Sequence, residues 1–189
     1  MNDVTNAPPD IDVGAIAFRS AVPDDIEPLH DLYRELIPDE DPDTADMRAA
    51  LVAILDNPRF GEIVIGELNG LIVATCQFIS YDNLIRSPQR KAMTDSVVVK
   101  NGYRHRGIGT IMMQWVLDNL GSETTSKFIV STAYNRKEAH GLYEKMGFDQ
   151  SGYSYIFSCG EKAISEPVGA VAARRRQLSS NSTSPLPGQ

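Results

Sequence analysis

The stretch that most restricts the fold of this chain is "SVVVKNGYRHRGIGTIMMQWVL", Ser96 to Leu117. The run "KAMTDSVVV" reads as a strand, rich in β-branched residues near its end. Asn101-Gly102 turns the chain, and a basic, glycine-containing segment leads into Gly107-Ile108-Gly109. Ile108, Ile111, Met112, Trp115 and Val116 then mark one face of a helix, which Gly121 closes. "KFIVSTAY" follows as another strand. Strand, helix, strand in that order is a parallel crossover, so the chain is α/β.

The flanking segments fit around that unit. "AIAFRS" (Ala15 to Ser20) reads as a first strand. Pro23 suits the first turn of a helix, with Asp24, Asp25 and Glu27 near its positive end. Ile26, Leu29, Tyr33 and Leu36 give that helix a buried face. "IPDEDPDTAD" breaks it, and a second helix covers Met47 to Leu55 before Asn57-Pro58. "FGEIVIGELNG" and "LIVATCQFISY" are strands joined at Asn69-Gly70, a strong hairpin signal. Beyond the crossover, Ala139, Leu142, Tyr143 and Met146 mark a last helix, with Gly147 as its C-terminal cap. "GYSYIFS" (Gly152 to Ser158) reads as a final strand. The expected order is β-α-α-β-β-β-α-β-α-β, a mixed central sheet of about six or seven strands with helices on both faces. Residues 1–14 are expected as a flexible lead, 15–158 as the domain and 159–189 as a flexible tail.

Composition narrows the function classes. A net charge of −7 over 189 residues argues against nucleic acid as a general partner. Cys76 and Cys159 form no metal-ligand or disulfide pattern, so neither a metal nor a staple is expected. No apolar run has membrane-spanning length, and "MNDVTNAPPDIDV" lacks the layout of a secretory signal. The expectation is a cytoplasmic protein without a membrane partner.

A glycine-rich strand-to-helix turn favours an anion, because free N–H groups and the helix dipole both point at it. Two nucleotide patterns fail here on particular residues. A P-loop needs Lys-Ser/Thr where Ile108-Gly109 stands. A dinucleotide fingerprint needs glycine where Met112 stands. Arg104-His105-Arg106-Gly107-Ile108-Gly109 instead fits R/Q-x-x-G-x-G/A. Downstream, "NRKEAHGLYEKMGF" carries Ala139, Tyr143, Glu144, Lys145, Gly147 and Phe148 in an A-x-x-x-Y-E-K-x-G-F pattern. Together the two motifs resemble those of the GNAT acetyltransferases, over roughly Ala15 to Ser158.

That resemblance implies the GNAT fold and N-acetyl transfer from acetyl-CoA to a primary amine of a small molecule or peptide, directly and without a metal. It implies that backbone amides and side chains from Arg104, His105, Arg106, Gly107, Ile108, Gly109 and Thr110 hold the pyrophosphate. The pantetheine arm would lie along Val97, Val98 and Val99 like an added strand, and Asn135 would bond it. Tyr143 would protonate the departing sulfur, and Asp95 would serve the incoming amine as base. Tyr33, Asn83 and Arg86 would line the acceptor side. Many relatives dimerise, so a homodimer is among the expected assemblies.

Each assignment has a plainer counterpart. Tyr143 also fits an apolar helix face, Asp95 a solvated strand end, and Asn135 an ordinary N-cap. Glu62 is a second, weaker candidate base. His105 reads as a loop side chain, and His140 receives no role. The carboxylates Asp39, Glu40, Asp41, Asp43 and Asp46 would attract a cationic amine, or simply form a solvated loop. Cys76 lies in an apolar strand, where a thiol is inert. Two other functions stay open: an acyl-CoA-binding module without turnover, and transfer of a different acyl group.

Overall fold

The computed structural model describes residues 11–59, 61–85, 89–121 and 125–152. The final strand expected at Gly152 to Ser158, the tail and Arg86 lie outside the described residues, except for Gly152. Among the described residues, β1 (Ala17–Ser20) is followed by α1 (Ile26–Leu36), α2 (Thr44–Leu55), β2 (Gly61–Leu68), β3 (Leu71–Asp82) and β4 (Arg90–Val99). Then come α3 (Ile108–Asn119), β5 (Thr125–Val130) and α4 (Lys137–Lys145). Among the described residues the sheet has five strands in the order β1-β2-β3-β4-β5, slightly fewer than the six or seven expected. The first three neighbour pairs are antiparallel, and β4 and β5 are parallel. The α/β class and the mixed sheet are therefore as the sequence indicates.

Local chemistry explains the boundaries. Pro23 to Asp25 form a separate 3-10 turn, so α1 starts three residues later than the proline suggests. Asp25 is held there by bonds from Arg19 Nη1 (2.7 Å) and the Val22 N–H (2.7 Å). The second helix starts earlier than its apolar pattern, because the Asp43 carboxylate caps the N–H groups of Ala45 and Asp46. Asn69 and Gly70 have φ of 51° and 78°, the left-handed pair that a tight two-residue hairpin requires. At the N-terminus a 3-10 turn covers Val13–Ala15, and Ile11 and Val13 pack on the core. Those residues overlap the lead drawn from sequence.

Helices cover both faces of the sheet. Ile26, Leu29 and Leu32 of α1 and Leu51 of α2 pack with Ile63, Ile65, Ile72 and Val98 on one face. Ile108, Met112 and Val116 of α3 pack with Val64, Val73, Cys76, Phe78 and Ala92 on the other. Leu32 is fully buried, so Leu32→Ala would cost about 2–5 kcal/mol. These two layers fix the ends of α1 and α3 against β4, where the site forms.

Candidate active site

The parallel pairing of β4 with β5 runs from Arg90 opposite Thr125 to Thr94 opposite Val130. It stops there, although β4 continues to Val99. On the other side of β4 the register with β3 shifts between Thr75 and Gln77, so Ser96 and Val97 face the single residue Cys76. Ser96 takes φ of 50°, a left-handed conformation unusual for serine. This β-bulge bends the strand, and pairing with β3 resumes beyond it at Val98 and Val99. Beyond it the Lys100 N–H donates to the Val73 carbonyl at 2.8 Å. Antiparallel alternation then turns the polar backbone groups of Val98 toward β3, and those of Val97 and Val99 away from it. The Val99 carbonyl on that side accepts a bond from Arg104 Nε at 2.8 Å.

The loop after β4 is built for an anion. Gly102, His105 and Gly107 have φ of 79°, 61° and 81°. The first bond inside α3 runs from the Ile111 N–H to the Gly107 carbonyl. The N–H groups of Ile108, Gly109 and Thr110 therefore have no partner within the helix. Gly107 is the N-cap and supplies no side-chain cap. A Cβ added at Gly107 would meet nothing within 4 Å, so the approach to these amides is open. A Cβ at Gly109 would stand 3.1 Å from Leu142 Cδ1, so α3 and α4 pack closely at this point. That contact ties the loop to the helix that carries Tyr143. His105 Nε2 lies 3.8 Å from Glu138 Oε2 on α4.

Two phenols carry raised pKa values. Tyr143 is only 7% exposed, and its ring meets Phe148 edge-on at 5.8 Å. Burial pushes its pKa up to about 12, with the charges of Cys76 and Asp95 adding to the rise and Arg136 opposing it. Tyr33 on α1 is raised in the same way, by burial first and by the same Cys76 and Asp95, while a hydrogen bond with Thr75 opposes the rise. Both phenols therefore lie within the electrostatic reach of Cys76 and Asp95, the residues on either side of the β3–β4 bulge. Asp95 is exposed and its Oδ1 accepts the Ser96 N–H at 2.7 Å. Cys76 is fully buried, and burial pushes its thiol up to about 12, with the Glu62 charge adding. It stays a thiol and carries no acyl group at neutral pH.

Other candidates have partners of their own. Asn83 follows β3, six residues beyond Gln77, which faces Asp95. At about 3.3 Å per residue that is roughly 20 Å along the strand from the bulge. Its side chain caps its own loop through the Ile85 N–H. Glu62 accepts the Ser20 hydroxyl between β1 and β2. Asn135 is exposed and is not the N-cap of α4, because Arg136 holds that place. His140 Nε2 lies 3.2 Å from the Ala133 carbonyl. In the acidic loop Asp41 pairs with His30 and Arg34, and Asp43 caps α2. That leaves fewer carboxylates for a cationic amine than the sequence counts.

Two groups escaped sequence reasoning. The Thr132 hydroxyl, just past β5, is buried without a hydrogen-bond partner among the described residues. A buried hydroxyl ordinarily has one. The second is Glu35 on α1, whose Oε2 accepts the Asn101 N–H at 2.6 Å. The composition of its surroundings offers no local sequence signal, since 66 residues separate the pair. Among the described residues no cluster of three or more His, Cys, Asp or Glu could hold a metal ion, and no helix is long and apolar enough to cross a membrane.

Solved structures share this architecture. A protein from Agrobacterium tumefaciens str. C58, assigned as an acetyltransferase, is 26% identical with a TM-score of 0.69, over 75% of this chain and 99% of that one. Glucosamine-6-phosphate N-acetyltransferase from Arabidopsis thaliana is 18% identical with a TM-score of 0.68, over 77% of this chain and 99% of that one. A Clostridium acetobutylicum protein solved with acetyl-CoA is 20% identical with a TM-score of 0.61, over 76% of this chain and 96% of that one. The latter two attest the fold. The model of the Acetyltransferase (GNAT) family matches residues 26–148, from the start of α1 to just past α4. With the β4 end that β5 leaves unpaired, the uncapped helix start and that match taken together, the chain belongs to the GNAT acetyltransferase family.

Proposed function

We propose that the protein is an acetyl-CoA-dependent N-acetyltransferase that acts on a primary amine of a small molecule or peptide, by direct transfer within a ternary complex. The observation that carries this reading is the end of β4, unpaired by β5 beyond Thr94, followed by an uncapped helix start, with the buried Tyr143 on the last helix. Acetyl-CoA supplies the activated thioester. The N–H groups of Gly107 to Thr110 bind phosphate oxygens, with Arg104 and Arg106 contributing charge. Val97 and Val99 present backbone groups along which an extended arm aligns. Asp95, exposed at the bulge, accepts a proton from the acceptor's ammonium through water, and the freed amine then attacks the thioester carbonyl. Tyr143 donates a hydrogen bond to the departing sulfur. Tyr33 closes the opposite wall and orients the acceptor.

The test is a panel of polyamines, aminoglycosides, amino acids and peptide N-termini, each incubated with acetyl-CoA. Free thiol release and the mass of the product are followed together. Coupled thiol release and acetylation of one amine class support the proposal. Tight CoA binding with no transfer to any member would instead support a binding module without turnover. Transfer from another acyl-CoA at a higher kcat/KM would change the donor.

A further inference from the structure

Glu35 stands one residue from the end of α1, yet its contacts all lie on the segment that follows β4. Its Oε2 accepts the Asn101 N–H at 2.6 Å. Lys100 Nζ lies 3.7 Å from Oε1, and Arg104 Nη2 lies 3.6 Å from Oε2. The carboxylate is 19% exposed, so solvent screens these contacts only in part. Arg104, drawn to this carboxylate, gives its Nε to the Val99 carbonyl at 2.8 Å. One side chain therefore engages the turn at the strand end, the lysine beside it and the arginine that opens the loop.

A carboxylate beside a phosphate site opposes an anion through its field. Whatever Glu35 adds to binding must then be geometric. Gly102 reverses the chain in a left-handed conformation, at φ of 79°. The bond from the Asn101 N–H to a carboxylate is charge-assisted and short, and it fixes the residue that enters that reversal. Neighbouring groups of α1 meet other parts of the site: Tyr33 is sensitive to Asp95, and the Leu36 carbonyl accepts Arg136 Nη2 at 3.2 Å. The last turn of α1 thus contacts the loop through Glu35 and the start of α4 through Leu36.

We infer that Glu35 is a positioning residue of the cofactor loop, holding Asn101 and Arg104 so that the amides from Gly107 to Thr110 converge on the phosphates of coenzyme A. The inference rests on the acetyl-CoA reading above. Its test is a calorimetric titration of CoA into the full chain as wild type, Glu35→Ala and Glu35→Gln, with amide hydrogen exchange over residues 101–108. Glutamine retains an acceptor for the Asn101 N–H. Glu35→Ala should weaken CoA binding by about tenfold, the scale of one charge-assisted bond, and Glu35→Gln by no more than about threefold. The KM for acetyl-CoA should rise with kcat nearly unchanged, and exchange over 101–108 should quicken in Glu35→Ala. A folded Glu35→Ala that binds CoA as well as wild type, or tighter, overturns the inference. So does unchanged exchange in that loop, a readout that needs no cofactor. Failure of the wild type to bind CoA would bring down the acetyl-CoA reading itself.

Discussion

Replacing Tyr143 by phenylalanine isolates one oxygen from a buried ring. The ring's edge contact with Phe148 survives the change, so stability should move by no more than about 1 kcal/mol. The chemistry should move far more, because a positioned acid contributes about 100-fold or more to rate. The raised pKa says how the phenol acts. At about 12 it is fully protonated at any working pH, and burial is the main cause. A free thiol has a pKa of about 8.5, so complete proton transfer from such a phenol to a thiolate would be uphill by about 5 kcal/mol. The hydroxyl therefore stabilises the sulfur by a hydrogen bond as charge develops, and water takes the thiolate onward. Steady-state kinetics on Tyr143→Phe under chemistry-limited conditions should show kcat down about 100-fold, with KM for acetyl-CoA within about threefold. The wild-type rate should show no alkaline limb from this residue below about pH 11. An alkaline limb near pH 9–10 that disappears in Tyr143→Phe would mean a wet, ordinary phenol and would refute the argument. A loss of rate under about threefold would refute its participation altogether.

Three further outcomes are expected. Gly107→Ala forces a methyl-bearing residue into φ of 81°, which costs about 1 kcal/mol of stability and strains the turn that presents the loop amides; melting and CoA titration should show both a lower midpoint and weaker binding. The Cys76 thiol, raised from 9.0 to about 12, is protonated in both states below pH 9, whereas above it the unfolded chain loses the proton first. Stability should therefore fall as pH rises from 9 toward 12, by about 2 kcal/mol at pH 10.5, and denaturant midpoints of Cys76→Ala should lack most of that slope. Asn83→Ala, roughly 20 Å along β3 from the bulge, should change the acceptor KM by less than about twofold; a larger change would place that hairpin in the site.

How much of this could be read beforehand depends on the range of each interaction. Periodicity marked Ile26, Leu29, Ile108, Met112 and Val116, because a buried helix face is written within a few turns of chain. Asn69-Gly70 announced its hairpin because both residues tolerate left-handed backbone. Gly107 and Gly109 marked the anion loop, and the downstream tyrosine pattern separated it from nucleotide loops. Ser96 gave no such signal: its φ of 50° is imposed by the register with β3, and serine is an unremarked residue in a strand. Glu35 was hidden because a carboxylate at a helix end ordinarily reads as solvated, and its partner lies in another part of the chain. How far Asn83 stands along β3 from the bulge is set by the β3–β4 register, which no local pattern announces. Asn135 lost its capping role when α4 began one residue later, at Lys137 after Arg136.

The short run of β4 that β5 leaves unpaired also bears on how the unliganded chain behaves in a crowded solution. Unpaired strand edges are templates on which other extended chains can assemble. Here the run is confined by the bulge at Ser96 and the turn at Asn101-Gly102, and Arg104 occupies one of its carbonyls. What remains offers too little ladder for a foreign strand to gain a lasting hold. An edge this short resists misassembly while its remaining backbone groups stay accessible.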